Sequence, residues 1–352
     1  MSSLKYIDIV LDGRYGDSGK GKIVYDLLCK RGHNLCVKFN GGPNAGHTIY
    51  RLHNNQYQKI ALHMLPIGTI KEGVYNLISS DCVIDINKLY KEIAYLNELG
   101  IDITNRLFIS KACHIITPKA VITDKSTNLI GTTNSGIGPT YADKALRIGI
   151  RADDEDVRQE LEKMGIHVVD MRHFWETPFV KDKIDSVIME GSQGFELDIN
   201  WCKHYPYCTS STCTLAGAIN TGIPLASIRE IIVSAKAYDT YVGTMDFQPE
   251  NDEILEQIAI EGAEFGTTTG RKRKCNYLNL DDYKVSLRIN NAKTCIINKC
   301  DILETVGVFR IYSKGSLVEF ETIDEMKKYI ENEIKEIGHV KQVIFSSSKY
   351  SI

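Results

Sequence analysis

Short apolar runs recur along the chain at 6–11, 35–39, 74–78, 106–109, 186–189, 231–235, 294–297 and 343–345. Each has strand length and is bounded by polar or glycine-containing segments. Between several of them apolar positions return at helical spacing, as at 86–99 and 155–164. This alternation predicts an α/β fold: a mostly parallel sheet with helices on its faces. One helix is legible from end to end. Thr322-Ile323-Asp324-Glu325 has the form of a capping box, and Ile323, Met326, Ile330, Ile334 and Ile337 make one apolar stripe. Gly338 stands at the C-terminal cap. No repeat, low-complexity segment or Pro/Ser-rich linker breaks the pattern, so residues 1–352 read as a single large domain.

Composition narrows the class. With 352 residues, 43% of them hydrophobic and 25% charged, there is ample material for a core. A net charge of -3 gives no reason to expect nucleic acid or a membrane as partner, and no apolar run reaches transmembrane length. The start, Met1-Ser2-Ser3-Leu4-Lys5-Tyr6, lacks the form of a signal peptide. Ten cysteines without a CxxC pair argue against a zinc ribbon or a thioredoxin-like site. Free buried thiols in a reducing compartment are expected: the cytoplasm, or a host cytoplasm if the chain is viral.

The chemistry is carried by glycine-rich loops that follow the strand-like runs. Gly13-Arg14-Tyr15-Gly16-Asp17-Ser18-Gly19-Lys20-Gly21-Lys22 joins the first run to a helix whose open N–H groups and dipole favour anions. It differs from a GxxxxGK[ST] loop: Arg14 replaces the first glycine, and Gly21 the hydroxyl residue that would hold magnesium. A carboxylate inside such a turn repels a phosphate unless it holds a metal or works as a base, so Asp17 is a candidate for either role. Gly41-Gly42-Pro43-Asn44-Ala45-Gly46-His47-Thr48 follows the second run and offers a histidine able to act as an acid or polarise an oxygen. His53 and His63 lie nearby without close ligand spacing and read as structural.

Further loops suit small anions and bases. Gly131-Thr132-Thr133-Asn134-Ser135-Gly136 has hydroxyls and open N–H groups fit for a monophosphate. Glu190-Gly191-Ser192-Gln193-Gly194 brings an amide able to donate to and accept from a purine edge. Thr267-Thr268-Thr269-Gly270-Arg271-Lys272-Arg273-Lys274 is the main basic cluster; without interleaved aromatics it suits a small dicarboxylate better than a nucleic acid. In Asn298-Lys299-Cys300-Asp301, an aspartate is placed to accept from guanine N1–H and N2–H.

These motifs, in this order from Gly13 to Asp301, resemble those of the adenylosuccinate synthetase family. The resemblance implies a single domain of P-loop-NTPase-related fold around a long, mostly parallel sheet, working as a homodimer. It implies a ligase that joins L-aspartate to C6 of IMP at the expense of GTP, through a 6-phosphoryl intermediate. Asp17, His47, Lys20 and Gln193 would then be catalytic, with Asp17 and the Gly46 carbonyl holding Mg2+. Asn44, Thr132, Thr133, Gln193 and Thr209 would hold the acceptor purine nucleotide, helped by Arg147 from the neighbouring subunit. Thr268, Thr269, Arg271 and Arg273 would bind L-aspartate. Ser18, Gly19, Lys20, Gly21 and Lys22 would cradle the donor phosphates, and Lys299, Asp301 and Ser347 the donor base.

The chain departs from the family pattern at Ser18, where glutamate is usual, and at Pro43, where histidine is usual. Phe345-Ser346-Ser347-Ser348-Lys349 also lacks the Gly-Pro that follows the last strand in the family. Pro43-Asn44-Ala45-Gly46-His47-Thr48 and Tyr205-Pro206-Tyr207-Cys208-Thr209-Ser210 are similar to phage-encoded relatives that take dGMP and can use ATP. Replacement of glutamate by Ser18 is expected to open volume beside the base. The alternative is therefore the same chemistry on (d)GMP with ATP or GTP. A nucleotide-binding regulatory protein or an inactive relative are the alternatives from other classes.

Overall fold

A computed structural model describes residues 4–127, 130–266 and 270–352. Its strands are β1 (Tyr6–Asp12), β2 (Leu35–Gly41), β3 (His47–His53), β4 (Gln56–Leu62), β5 (Tyr75–Ile84), β6 (Leu107–Ser110), β7 (His114–Ile115), β8 (His167–Val169), β9 (Ser186–Glu190), β10 (Ile228–Lys236), β11 (Tyr238–Tyr241), β12 (Lys274–Asn279), β13 (Thr294–Asn298), β14 (Phe309–Ser313), β15 (Ser316–Phe320) and β16 (Gln342–Phe345). The main sheet runs β16-β13-β10-β1-β9-β2-β5-β6-β8, with β7 beside β5. Neighbouring strands in it are parallel. All eight runs read from the sequence are strands of this sheet.

The inner strands have no wet face, and the pleat explains why they read as unbroken apolar runs. In β1, Ile7, Ile9 and Leu11 join the core on one side of the sheet, while Val10 joins the core on the other. Met189 and Ile188 of β9 divide in the same way. Helix α1 (Lys20–Arg31) covers the second side with Ile23, Val24, Leu27 and Leu28. The late helix, Ile323–Lys335, buries Met326, Ile330 and Ile334 on the first side. Thr322 caps it by accepting from Glu325 N at 3.2 Å. The reciprocal bond of a capping box is displaced by one residue: Glu325 reaches Glu321 N, not Thr322 N.

Two smaller sheets were not foreseen. β3 and β4 form an antiparallel hairpin, and β11-β12-β14-β15 form a four-stranded sheet. All ten cysteines are free, seven of them buried. Among the described residues no helix is long and apolar enough to cross a membrane.

Candidate active site

The strands β1, β2, β9, β10 and β13 end at one edge of the sheet, and the loops leaving β1, β2, β9 and β13 line a single cleft of about 1610 Å³. In an open α/β sheet this carboxyl edge is where ligands bind. β1 sits where the order reverses, with β10 on one side and β9 on the other. The hairpin β3–β4, helices α2 (Ile86–Glu98), α3 (Pro118–Ser126) and α4 (Ile137–Leu146), and the C-terminal residues complete the surroundings; all but α2 contribute to the cleft wall.

Asp12, the last residue of β1, organises the phosphate loop from below. Fully buried, it accepts from Arg14 N (2.9 Å), Gly16 N (3.2 Å) and Ser18 N (3.3 Å), and from the Ser18 hydroxyl. Lys20 Nζ lies 3.1 Å from Asp12 and donates to Gln193 O at 2.7 Å. Burial works against the Asp12 carboxylate, but Lys20 and these donors hold its pKa below the ordinary value. The turn thereby closes around a charge of its own, leaving the α1 N-terminus open to the cleft. Arg14, read from the sequence only as a departure, is a buried strut: Nε and Nη2 grip Asp239, and Nη1 reaches Glu196 at 2.8 Å. Gly194 is needed there, because a Cβ at that position would lie 2.1 Å from Arg14 O.

Ser18 is placed otherwise than the sequence suggested. Its side chain is 1% exposed, with the hydroxyl shared between Asp12 and Ser234 Oγ at 2.5 Å. Its hydroxyl therefore braces the loop from beneath, although the residue itself stands on the cleft wall.

His47 opens β3 and packs against the phosphate loop: a Cβ at Gly21 would come within 2.9 Å of His47 Cβ. Its Nδ1 faces the buried Glu190 carboxylate at 3.6 Å, and its Nε2 is buried with no hydrogen-bond partner. Burial lowers the imidazole pKa, and Glu190 only partly offsets this. A buried, unpartnered ring nitrogen on a cleft wall is the donor or acceptor a ligand would satisfy. Glu190 leaves one signal in the sequence, a charged residue ending an otherwise apolar strand.

Asp17 takes the left-handed conformation, φ 55°, and keeps 36% of its side chain exposed toward the cleft. Arg273 Nη2 meets it at 2.9 Å, while Arg273 Nη1 is held by the buried Glu264 at 2.5 Å. Glu264 also accepts from Tyr238 OH (2.7 Å) and Lys236 Nζ (3.3 Å). Burial would raise its pKa, but Lys236, Arg273 and Lys299 bring it down to about 2. Lys299 also adopts positive φ, 65°, and donates to Gly262 O at 2.9 Å. Left-handed conformations at Asp17, Gln193 and Lys299, all on the cleft, are the strain that binding sites accumulate.

The cleft is lined by Asp17, Ser18, Gly19, Lys20, Gly21, Lys22, Asn44, Gly46 and His47, and by Thr132, Thr133, Gln193, Thr209, Arg271, Arg273, Lys299 and Asp301. Thr132 Oγ1 donates to Asp124 at 2.9 Å, and Asp124 also anchors Gly136 N. Arg271 Nη1 donates to Gly131 O at 3.2 Å, tying the basic segment to this loop. Ser347 falls elsewhere, and Arg147, expected to act in the neighbouring subunit, lies outside its own cleft. Arg147 caps α4 in an exposed position outside the lining, because the chain turns away there with φ 65°. Ser347 is exposed and does not line the cleft; its neighbours Ser348 and Lys349 do, as Ser346 turns inward to Lys22. Thr268 and Thr269 lie outside the described residues.

Asp17 and Gly46, the residues expected to supply oxygen donors for magnesium, both line the cleft. Hard oxygens from one carboxylate and the backbone suit that ion, which takes its remaining ligands from water and substrate phosphates. Among the described residues no three His, Cys, Asp or Glu side chains gather into a protein-only cage.

The family model for adenylosuccinate synthetase matches residues 9–177 and 155–348. The chain is 34% identical to an adenylosuccinate synthetase of Meyerozyma guilliermondii, over 98% of this chain and 91% of that one. It is 36% identical to one of Helicobacter acinonychis, over 86% of this chain and 81% of that one. Among solved structures, a fully ligated adenylosuccinate synthetase from Plasmodium falciparum superposes with a TM-score of 0.82 at 26% identity, covering 98% of each chain. The cyanophage S-2L succinoaminodeoxyadenylate synthetase, bound to dGMP and dATP, shares the fold with a TM-score of 0.75 at 20% identity, over 99% and 94%. With the phosphate loop, the buried histidine and the basic segment meeting in one cleft, these likenesses establish that the chain belongs to the adenylosuccinate synthetase family of carbon–nitrogen ligases.

Proposed function

We propose that the chain joins L-aspartate to C6 of IMP, using GTP. One observation carries this reading: Asp17, His47 and Arg273, from three distant segments, converge on the cleft beside the phosphate loop. The C6 oxygen is a poor leaving group and must be activated. Asp17 takes the proton from N1, so that O6 becomes a nucleophile toward the γ-phosphoryl group. With Glu190 facing Nδ1, His47 presents Nε2–H to the charge that builds on the transferred group once the donor phosphates draw a proton onto the ring, and the α1 N-terminus with Lys20 holds those phosphates. Arg271 and Arg273 orient the L-aspartate carboxylates, and its amine then displaces phosphate from C6. Magnesium, held by Asp17 and Gly46, would supply electrostatic neutralisation of the donor phosphates.

The family likeness and the lysine–aspartate pair at Lys299 and Asp301 support GTP as donor. The second reading, dGMP as acceptor and ATP as donor, draws on the cyanophage enzyme, whose structure holds dGMP and dATP. The segments from Pro43 to Thr48 and from Tyr205 to Ser210 support it. A second copy of the chain is proposed to pack over Arg147, since exposed Leu146 and Ile148 flank it with 65% and 69% of their surface open.

The test is phosphate release by the purified protein with magnesium. Release that needs IMP, GTP and L-aspartate together, with formation of the succinyl product, is expected. Release without L-aspartate, or none with any purine monophosphate, overturns the reading.

A further inference from the structure

The hairpin and the C-terminal residues form one wall of the cleft, and aromatic rings join them. Opposite residues of an antiparallel pair share a face. The register pairs Thr48 with Ala61, Tyr50 with Lys59 and Leu52 with Tyr57, while Ile49 and Ile60 pair on the other face and are buried. Thr48, Tyr50, Lys59 and Ala61 accordingly line the cleft. Tyr57, one step further along this face, is stacked by Tyr350, with centroids 3.9 Å apart and planes at 22°. Tyr350 also meets Tyr50 edge-on at 5.5 Å. Lys349 Nζ lies 5.4 Å and 5.1 Å from the Tyr50 and Tyr350 ring centroids.

The remainder of the tail is fastened to the phosphate-loop helix. Lys22 Nζ donates to Ser346 Oγ at 2.9 Å and Ser348 O at 2.8 Å. Tyr350 N donates to Ser348 Oγ at 3.1 Å, and Lys30 Nζ to Ile352 O at 3.2 Å. Lys22 also feels the charges of Asp301 and Lys299, so the tail borders the end of the cleft where those two residues stand.

We propose that Tyr350 is a positioning residue of the donor site: its stack on Tyr57 holds Ser348 and Lys349 against the nucleoside triphosphate. The inference rests on the reading of the cleft as a nucleoside triphosphate site. An aromatic pair contributes beyond its buried area, so losing it releases a segment fixed otherwise by a few polar contacts. Lys349 then loses the Tyr350 ring and keeps only Tyr50 beneath its charge.

The experiment measures binding of non-hydrolysable GTP and ATP analogues, and separately of IMP, to the full chain by calorimetry with magnesium present. Tyr350→Ala and Tyr57→Ala are each expected to weaken the preferred triphosphate analogue by roughly tenfold. Tyr350→Phe, which keeps the ring, should stay within about twofold. The double variant should be no weaker than either single one, because both remove the same contact. IMP affinity should not move. Unchanged triphosphate affinity in Tyr350→Ala, or equal losses for triphosphate and IMP, overturns the proposal. Failure of the unsubstituted protein to bind either triphosphate overturns the reading of the cleft itself, an outcome distinct from the other two.

Discussion

Asp17 Oδ2 and Arg273 Nη2 lie 2.9 Å apart across the cleft. The carboxylate proposed to take the purine proton and the guanidinium proposed to hold L-aspartate are thus an ion pair before substrate arrives. Glu264 keeps Arg273 in place independently of Asp17. Asp17→Asn is therefore expected to lower kcat by roughly two to four orders of magnitude, as for a removed base, while the KM for L-aspartate stays within a few-fold. Arg273→Lys should act oppositely, raising that KM most, since a lysine cannot repeat the bidentate grip. Steady-state kinetics separates the two. Near-normal turnover of Asp17→Asn removes it from the chemistry.

Glu264 makes stability depend on acid. Its pKa in the folded chain is about 2, against 4.5 ordinarily, so its contribution is complete above pH 4.5 and is lost as pH falls toward 2. A depression of that size is worth about 3 kcal/mol. Glu264→Gln should lower the unfolding free energy by about that amount at pH 7. The difference from the unsubstituted protein should shrink when urea titrations are repeated below pH 4.5. A pH-independent difference would assign the loss to packing instead.

Lys22 sets a limit at the alkaline side. Burial pulls its pKa down to about 8, against the pull of Asp301 and Asp26. An anionic donor favours the ammonium form. Triphosphate affinity should hold steady below pH 8 and weaken above it, approaching about tenfold per pH unit. The unfolded chain keeps this proton up to about 10.5, so the folded state gains stability as pH rises from about 8 toward 10.5. Lys22→Met should abolish the slope in analogue titrations; a slope that persists points to another group.

The sheet was legible because its strands are buried on both faces and read as apolar runs whichever side each residue faces. The hairpin was not: in β3 and β4 polar and apolar residues alternate, with Tyr50, Leu52 and Tyr57 on the exposed face breaking the contrast. The phosphate loop was legible from its glycines, yet Asp12 was passed over as the end of a strand. Its role depends on N–H groups from three later residues turning back toward it. Glu264 and Glu190 were equally silent: Glu264 meets Arg273 only where the chain doubles back on itself, and Glu190 faces His47, distant in sequence, across 3.6 Å. Arg147 could be named from a motif, but its distance from its own cleft appears only in three dimensions.

That placement of Arg147 allows a complementation experiment. If it serves a neighbouring subunit, Arg147→Leu and Asp17→Asn damage different halves of a shared site. Mixing the two inactive proteins should restore up to about a quarter of the normal activity, as statistical exchange gives half heterodimers with one intact site each. No recovery after subunit exchange verified by tagged chains would place Arg147 outside the reaction.

Acceptor purines differ at C2, and the burial of Ser18 bears on how the chain distinguishes them. IMP carries hydrogen at C2, while dGMP carries an amino group that needs space and an acceptor. Leaving that group buried without a partner costs about 1–3 kcal/mol. With its hydroxyl bound to Asp12 and Ser234, Ser18 is expected not to meet it. Ser18→Glu should therefore leave the ratio of kcat/KM for IMP and dGMP within about threefold. It should instead lower both, because a carboxylate forced beside Asp12 places like charges together without water. The unsubstituted protein is expected to favour IMP over dGMP by roughly tenfold or more, about 1.4 kcal/mol of transition-state discrimination. Competition between the two nucleotides in one reaction, read by the mass of the succinyl product, measures the ratio directly. A preference for dGMP would transfer the chain to the second reading, and a large shift of the ratio in Ser18→Glu would restore Ser18 as the discriminator.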